Sequence, residues 1–450
     1  MITKIMKRDG REVPFNIEKI ANAIYKAAQA AGGQNYDTAL KLAEEVTMIL
    51  DKKFKSEIPG VEDIQDIVEK VLIENGHAKT AKEYILYRAE RTRVREMDTR
   101  LMKVYEDLTF KDAKDVDIKR ENANIDGNTA MGTMLKYGSE GAKQFYDLFV
   151  LNPAHSKAHK NGDFHIHDLD FLTLTTTCCQ IDIIKLFKDG FSTGHGYLRE
   201  PNDIRSYSAL ACIAIQSNQN DQHGGQSIPN FDYGMALGVK KTYKKAYRQN
   251  LLKSIELLID DVDLTDNLNN IFKVLEKEYD LVPTLSNADE YMKKEAEYLN
   301  ELLDDREMVE KVQNFAQKNA YKDTDRKTYQ AMEALIHNLN TMHSRAGAQI
   351  PFSSINYGTD TSIEGRMVMR NLLLSTEAGL GNGETPIFPI QIFKVKEGIN
   401  YNDGDPNYDL FKLACRVSAK RLFPNFSFID APYNLKYYKE GHPETEIAYM

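Results

Sequence analysis

Cysteine is rare in this sequence: four of the 450 residues are cysteines, and no two of them form a Cys-x-x-Cys pair. A disulfide-stapled secreted domain and a zinc site built from thiolates both need a denser cysteine pattern. The sequence therefore argues against these two classes. It fits a protein with reduced thiols, which predicts a cytoplasmic location.

The sequence also lacks long apolar runs and an excess of basic residues. No apolar run approaches the ~18 residues that cross a bilayer, and no charged-then-apolar leader follows Met1. The formal net charge is −9, whereas a nucleic-acid-binding protein needs a basic face. We therefore expect no membrane insertion and no nucleic-acid partner. A small phosphorylated ligand stays possible, because a few local cations can bind it.

The composition is that of a large globular protein. Hydrophobic residues make up 42% of the chain and charged residues 28%, which is typical of a soluble protein with a large core. A length of 450 residues predicts about three domains, although a barrel can run that long as one.

A central stretch combines two imidazoles, a carboxylate and two adjacent thiols. His165, His167 and Asp168 follow a Gly-Asp turn in an alternating pattern that predicts a strand, with both histidines on one face. Cys178 and Cys179 come shortly afterwards. These residues are the first candidates for chemistry.

Three interpretations of this stretch compete. His165, His167 and Asp168 could bind a metal ion in a hydrolase, but zinc needs further ligands that the sequence does not locate. The thiols could carry out redox chemistry, although adjacent cysteines seldom bridge each other. Alternatively, the histidines form hydrogen bonds in a core and the cysteines pack as small apolar residues.

The N-terminal segment predicts a phosphate site. An Asp-Gly pair at 9–10 predicts a hairpin, and Asn16 is the expected N-cap of a helix from Ile17. Lys7, Arg8 and Lys19 should then lie near the helix start, where basic side chains and free amides favour phosphates. The alternative is a solvated basic turn.

Other segments give weaker signals. Asn122 and Asn124 lie in an amide-rich loop that could contact a polar ligand. Cys212 and Cys415 lie in apolar helical patterns and are expected in the core. A turn rich in glycine at 379–383 lacks a P-loop lysine and is interpreted as an ordinary turn.

Five stretches along the chain form a distinctive set of motifs: Gly162-Asp-Phe-His-Ile-His-Asp168, Thr177-Cys-Cys179, Gln222-His-Gly-Gly-Gln226, Ser344-Arg-Ala-Gly-Ala-Gln349 and Lys420-Arg-Leu-Phe-Pro424. Together they resemble the anaerobic (class III) ribonucleoside-triphosphate reductases, which are glycyl radical enzymes. The resemblance implies an α/β fold with a ten-stranded α/β barrel, incomplete in this chain. It implies that Cys178 on the first barrel strand lies beside the substrate ribose, with Cys179 as the second choice. His165, His167, Asp168, Asn122 and Asn124 become candidates for the lining of the active site.

The first fifth of the chain resembles an ATP-cone, a mostly helical regulatory domain that binds ATP or dATP. Lys7-Arg-Asp-Gly10 and Tyr84-Ile-Leu-Tyr-Arg88 carry this resemblance. It assigns the effector nucleotide to Lys7, Arg8, Asn16 and Lys19. The domains are then expected at 1–92 for the cone and 93–450 for the barrel core.

The resemblance also implies partners and a mechanism. A ribonucleoside triphosphate is the substrate, dNTPs are effectors, and a radical S-adenosylmethionine activase generates the glycyl radical. Formate is the expected reductant, with a small redox protein as the alternative, and a homodimer is expected. The family's Met-Gly-Cys-Arg radical-cysteine motif would start at Met450, and its glycyl radical loop and structural zinc site would follow. This chain alone is therefore expected to be inactive. A metal-dependent hydrolase and a non-catalytic nucleotide sensor are the alternatives.

Overall fold

The structure is a computed structural model that describes residues 2–8, 10–55, 57–97, 102–103, 105, 129–173, 176–258, 263–345 and 349–449. The chain divides into two compact units, Met1–Lys111 and Asp112–Met450. None of the helices in these described ranges is long and apolar enough to cross a membrane.

The first unit is a hairpin followed by a cluster of helices. Its elements are β1 (Lys4–Met6), β2 (Glu12–Pro14), α1 (Ile17–Ala30), α2 (Tyr36–Lys53), α3 (Val61–Glu74) and α4 (Ala78–Met97). The strands pair antiparallel, which confirms the predicted hairpin. Asn16 caps α1, because its side-chain oxygen accepts a hydrogen bond from the Glu18 N–H at 2.8 Å. Apolar side chains from all four helices form one core.

The second unit alternates helices with short strands. Its helices are α5 (Ala130–Phe145), a π-helix (Tyr146–Val150), α6 (Pro153–Asn161), a 3-10 turn (Leu169–Phe171), α7 (Ile183–Phe187), α8 (Ile204–Asp221), α9 (Phe231–Glu256), α10 (Asp263–Glu278), α11 (Ala288–Leu303), α12 (Arg306–Thr341), α13 (Ile363–Ala378), α14 (Tyr408–Arg421), α15 (Pro432–Leu435) and a 3-10 turn (Pro443–Thr445). Its strands are β3 (Cys179–Gln180), β4 (Phe191–Ser192), β5 (Tyr197–Leu198), β6 (Gln226–Ile228), β7 (Ser353–Tyr357), β8 (Ile390–Val395) and β9 (Asn425–Phe428).

Five of these strands form one parallel sheet in the order β3-β6-β7-β8-β9. Helices connect them, as parallel pairing requires. On one face, Ile355, Tyr357, Phe393 and Val395 pack with helical side chains into the main core. This confirms the α/β class, and the parallel sheet in the described ranges has five strands. Closure of the barrel stays a prediction.

The opposite face of the sheet is polar. Ser227 in β6 pairs in register with Ser354 in β7, and Asn356 lies two residues further along β7 on the same side. Lys394 in β8 also belongs to this side, two residues beyond Ile392, which pairs with Asn356. All four polar residues are buried. A sheet that is apolar toward its helices and polar on its other face is organised to enclose a polar site.

A helical layer beside the sheet contains a buried carboxyl group. Glu295 in α11 is 0% exposed. Its Oε2 accepts hydrogen bonds from the Tyr247 hydroxyl at 2.6 Å and the Gln313 amide at 2.8 Å. Burial raises the pKa of Glu295 to about 7, and the two hydrogen bonds oppose this shift.

Glu295→Gln is expected to flatten the pH dependence of stability. An unfolded glutamate ionises near pH 4.5, whereas the folded one ionises near pH 7. Glu295 therefore lowers the free energy of unfolding of the wild type as the pH rises from 4.5 to 7. A glutamine at this position is neutral and has no such effect. The difference in unfolding free energy between variant and wild type should change by about 2–3 kcal/mol over this window. Urea unfolding at several pH values measures it.

Glu297→Gln is the matched control, because Glu297 lies on the same helix and its side chain is 58% exposed. Its stability curve should run parallel to that of the wild type. A parallel curve for Glu295→Gln as well would contradict the buried-carboxyl assignment.

Candidate functional site

The two adjacent cysteines lie at the start of β3 and differ in their surroundings. Cys179 is the first residue of the strand and pairs in register with Gln226. Its Sγ accepts a hydrogen bond from the Asn218 amide of α8 at 3.0 Å. Burial raises the pKa of Cys179, and the Asn218 hydrogen bond opposes this shift. Cys179 therefore faces the helices as a protonated thiol.

Cys178 precedes the strand by one residue and is exposed. Gln180 pairs with Ser227, a member of the polar face. Because side chains alternate along an extended chain, Cys178 takes the same side as Gln180, opposite to Cys179. This alternation predicts that the two thiols point to opposite sides and that Cys178 points toward the polar face.

The loop before β6 packs tightly against the cysteines. The His223 N–H donates to the Thr176 carbonyl at 3.0 Å, and the Cys179 N–H donates to the Gly225 carbonyl at 3.3 Å. Gly224 has a φ of +101°, and a Cβ there would lie 2.3 Å from the Thr177 carbonyl oxygen and 3.1 Å from the Cys178 sulfur. Only glycine allows this approach. The backbone at Gly224 thus lies directly against the segment that carries Cys178.

The segment near Tyr449 crosses the polar face. The Tyr449 N–H donates to Asn356 Oδ1 at 2.9 Å, and Asn356 Nδ2 donates to the Tyr449 carbonyl at 3.1 Å. Ser354 and Ser227 donate to the same carbonyl at 2.8 and 3.3 Å. Asn356 therefore pairs with this peptide much as a strand residue would, and the sheet fixes the position of Tyr449.

A buried ion pair anchors the same segment. Lys394 Nζ donates to Glu446 Oε2, and the two side chains are 0% and 3% exposed. Lys394 also donates to the Pro229 carbonyl at 3.0 Å and to Asn230 Oδ1 at 3.3 Å. The Thr359 hydroxyl donates to Glu446 Oε2 at 2.8 Å. Burial raises the pKa of Glu446, and Lys394 opposes this shift.

The prediction that His165, His167 and Asp168 lie on a strand is wrong. After α6 ends at a left-handed Gly162, the chain stays irregular until the 3-10 turn, and Asp168 itself has a φ of 50°. A left-handed residue interrupts the extended conformation, and no strand in the described ranges pairs with this segment. Both histidines are exposed.

Asp168 contacts His223, a histidine that the sequence analysis included in a motif but did not propose as a site residue. Its Oδ2 lies 3.1 Å from His223 Nε2 and 3.5 Å from His167 Nε2. The His223 ring stacks on Phe171 with centroids 3.9 Å apart. The structure therefore brings Asp168 and the loop before β6 together, whereas His167 stays 84% exposed.

An arginine in this area was also missed. Arg345 donates to the carbonyls of Gln219 and Gln222, at 3.1 and 2.6 Å from Nη2, and to Gln349 Oε1 at 3.0 Å. Burial lowers the pKa of Arg345, and the charge of Asp168 opposes this shift. A cavity of about 510 Å³ adjoins these groups; its lining includes Lys136, Ser139, Asp170, Phe171, His223 and Arg345. The Ser-Arg motif around 344–349 was a signal for Arg345, but its two carbonyl partners, at Gln219 and Gln222, lie more than a hundred residues earlier.

The metal-hydrolase alternative gains no support from this geometry. Within the described part of the chain, no group of three His, Cys, Asp or Glu side chains could hold a metal ion.

Of the two cysteines that were predicted to lie in the core, one does and one does not. Cys212 is buried, as predicted, but Cys415 is exposed, so its core assignment is wrong. Ala414 and Val417 form the buried side of α14, and Cys415 lies outside that stripe.

The predicted nucleotide residues of the first unit lie at its surface. Lys7, Arg8, Asn16 and Lys19 are all exposed. Arg8 contacts Glu62 at the start of α3, and no ion pair joins Lys7 or Lys19 to any residue that the structure describes. Asn122 and Asn124, the remaining candidates, lie outside the described residues.

Two family models match the chain. The model described as "Anaerobic ribonucleoside-triphosphate reductase" matches residues 121–450, which is more than half of the chain, and the one described as "ATP cone domain" matches residues 3–93. The cone match includes the hairpin and the four helices of the first unit almost to the end of α4.

Curated relatives agree with the family models. The anaerobic ribonucleoside-triphosphate reductase of Salmonella typhimurium is 28% identical over 428 residues, which cover 94% of this chain and 51% of the relative. That of Enterobacteria phage T4 is 28% identical over 316 residues, covering 69% and 42%. The chain thus spans about half the length of the curated relatives it matches.

Solved structures give a weaker likeness. The anaerobic ribonucleotide reductase from Thermotoga maritima in complex with dATP and CTP superposes with a TM-score of 0.42 at 13% identity, covering 74% of this chain and 46% of that one. At this score the superposition adds nothing to the sequence matches.

Proposed function

Because the chain belongs to the anaerobic ribonucleoside-triphosphate reductase family, we propose that it carries the effector-binding cone and part of the catalytic barrel of an enzyme that reduces ribonucleoside triphosphates to deoxyribonucleotides. The observation that carries this proposal is the position of Cys178 beside the polar face of the parallel sheet. A reducing thiol needs such a place, next to a polar substrate and apart from the apolar core.

Cys178 is the proposed catalytic thiol, and Cys179 is not. Removal of the ribose 2′-hydroxyl requires a hydrogen and electron donor close to the sugar, which a thiol can supply. Cys178 is exposed, whereas Cys179 is half-buried and bonded to Asn218. The tight packing of Gly224 supports a fixed position for the Cys178 backbone, and near-attack geometry tolerates little displacement.

The remaining parts of the mechanism belong to the proposal for the whole protein. In it, a radical S-adenosylmethionine activase generates a glycyl radical, and formate or a small redox protein supplies electrons. A structural zinc site, a homodimer, dNTP effectors and a cytoplasmic location complete this proposal. The domain bounds 1–92 and 93–450 and the lining roles of His165, His167 and Asp168 are also proposed.

The test of the function is an anaerobic assay of the full-length protein with its activase, S-adenosylmethionine, formate and CTP. The expected results are formation of dCTP and a glycyl-radical doublet in the electron paramagnetic resonance spectrum. A full-length protein that forms neither, with activase that works on a known reductase, would overturn the proposal.

We propose that the cone binds ATP or dATP through Lys7, Arg8 and Lys19, with Asn16 holding the start of α1. The capped helix start and the exposed cations support this assignment. The positive end of the helix dipole and nearby basic side chains together favour a triphosphate.

Lys19→Ala should weaken dATP binding by about 1.5–3 kcal/mol, the value of a charge-assisted hydrogen bond. Calorimetry on the 450-residue chain measures this change. Lys26→Ala, which removes an amine further along α1 and away from its start, is the control and should bind normally. Equal dATP affinity in Lys19→Ala and wild type would remove Lys19 from the site.

A further inference from the structure

Arg8, a proposed phosphate ligand, already has an anionic partner. Its Nε donates to Glu62 Oε1, and its Nη2 donates to Gln65 Oε1 at 3.0 Å. The other oxygen of Glu62 accepts a hydrogen bond from Arg88 Nη2 at 2.6 Å. A single carboxylate therefore bridges an arginine of the hairpin and an arginine of α4.

The partners of Arg8 occupy the Nε and Nη2 edge of its guanidinium, one of the two edges that can bind a phosphate through parallel N–H groups. An arginine binds phosphate best through two parallel N–H groups, and the Nε and Nη2 of Arg8 form such a pair. Oxygens of Glu62 and Gln65 now accept from both. A phosphate can bind this edge only if these oxygens move away.

The contact between Arg8 and Glu62 is suited to exchange. Their side chains are 37% and 51% exposed, and ion pairs at this exposure are weak. Arg88 does not depend on Glu62 alone, because it also donates to Asp66 at 2.6 Å and to Glu69 at 2.8 Å. Arg8 can leave Glu62 without leaving a buried charge unpaired.

We propose that Glu62 sets the nucleotide affinity of the cone, by occupying the binding edge of Arg8 until the phosphates displace it. This inference rests on the proposed nucleotide site and names a residue that opposes binding there. The hydrogen bond from Arg8 lowers the pKa of Glu62, so the competing group is a charged carboxylate at neutral pH.

The test compares dATP binding by calorimetry in the wild type, Glu62→Gln and a control. Glu62→Gln keeps the side-chain shape but removes the charge, and it should tighten binding about three- to tenfold. The control is Glu12→Gln, because Glu12 lies in the same hairpin and pairs with Lys4 at 2.9 Å, not with Arg8. Its affinity should stay within about twofold of wild type. Thermal unfolding checks that each variant is folded.

A double-mutant cycle with Arg8→Ala isolates the contact. If Glu62 acts through Arg8, Glu62→Gln should give no gain in the Arg8→Ala background beyond that of the control. An equal gain in both backgrounds, or weaker binding by Glu62→Gln alone, would overturn the role of Glu62 but leave the nucleotide site in place. Wild-type affinity in both Arg8→Ala and Lys19→Ala would instead overturn the proposed site itself.

Discussion

In the full-length protein with the proposed reductase activity, Cys178→Ser is expected to abolish deoxynucleotide formation, by at least about a thousandfold. Serine is nearly the same size, so the packing of Gly224 against this residue should survive. A hydroxyl cannot replace the thiol as a hydrogen and electron donor, because it has no comparable oxidation chemistry. The measurement is dCTP formed from CTP under anaerobic conditions with activase and formate.

The radical signal distinguishes a chemical defect from a folding defect. We propose that the glycyl radical resides elsewhere in the whole protein, so Cys178→Ser should still show its electron paramagnetic resonance doublet. Cys179→Ser is the matched control, since Cys179 faces Asn218 of α8. It should keep turnover within about threefold of wild type. Near-normal turnover by Cys178→Ser, or its loss only in Cys179→Ser, would move the catalytic role.

Local patterns in the sequence predicted the cone well. The hairpin and the helix starts depend on residues close in sequence, such as Asn16 and its acceptor contact to Glu18. The expected strand through His165 failed for a local reason too. A segment with alternating apolar and polar residues forms a strand only where a neighbouring strand pairs with it. Here the left-handed conformation of Asp168 also interrupts the extended segment.

Long-range contacts explain what the sequence could not show. Arg345 donates to the carbonyls of Gln219 and Gln222, and Lys394 in β8 pairs with Glu446, which lies 52 residues later in the sequence. No spacing in the sequence indicates such pairs, because folding alone brings them together. The exposure of Cys415 was missed for a different reason. An amphipathic pattern does not fix which of two adjacent residues points into the core.

Lys394→Met is expected to lower the free energy of unfolding by about 3–5 kcal/mol at neutral pH, because it leaves a buried carboxylate without its cation. Methionine fills a similar volume, so a cavity contributes little. Glu446 is only 3% exposed, and among the described residues it would keep the Thr359 hydroxyl as its side-chain donor. Urea unfolding of the 450-residue chain measures the loss.

The loss of unfolding free energy in Lys394→Met should grow as the pH rises, because of how Glu446 ionises. Burial already raises the pKa of this carboxyl group above its usual range, against the opposing charge of Lys394. Without the lysine the folded pKa rises further, while the unfolded pKa is unchanged. A group with a raised folded pKa loses stability as the pH rises from the unfolded toward the folded value. Lys394→Met should therefore be closest to wild type near pH 5 and furthest from it near pH 8.

The double variant Lys394→Met/Glu446→Gln separates loss of the ion pair from loss of packing. Removing both charges eliminates the unpaired carboxylate, so the double variant should be more stable than Lys394→Met alone and should lose most of the pH dependence. Because Glu446 lies three residues before Tyr449, this pair also holds the segment that crosses the polar face. Equal stability of the single and double variants at pH 8 would show that Glu446 is not held as a charged partner of Lys394, and that the Asn356 and Ser354 contacts anchor this segment without it.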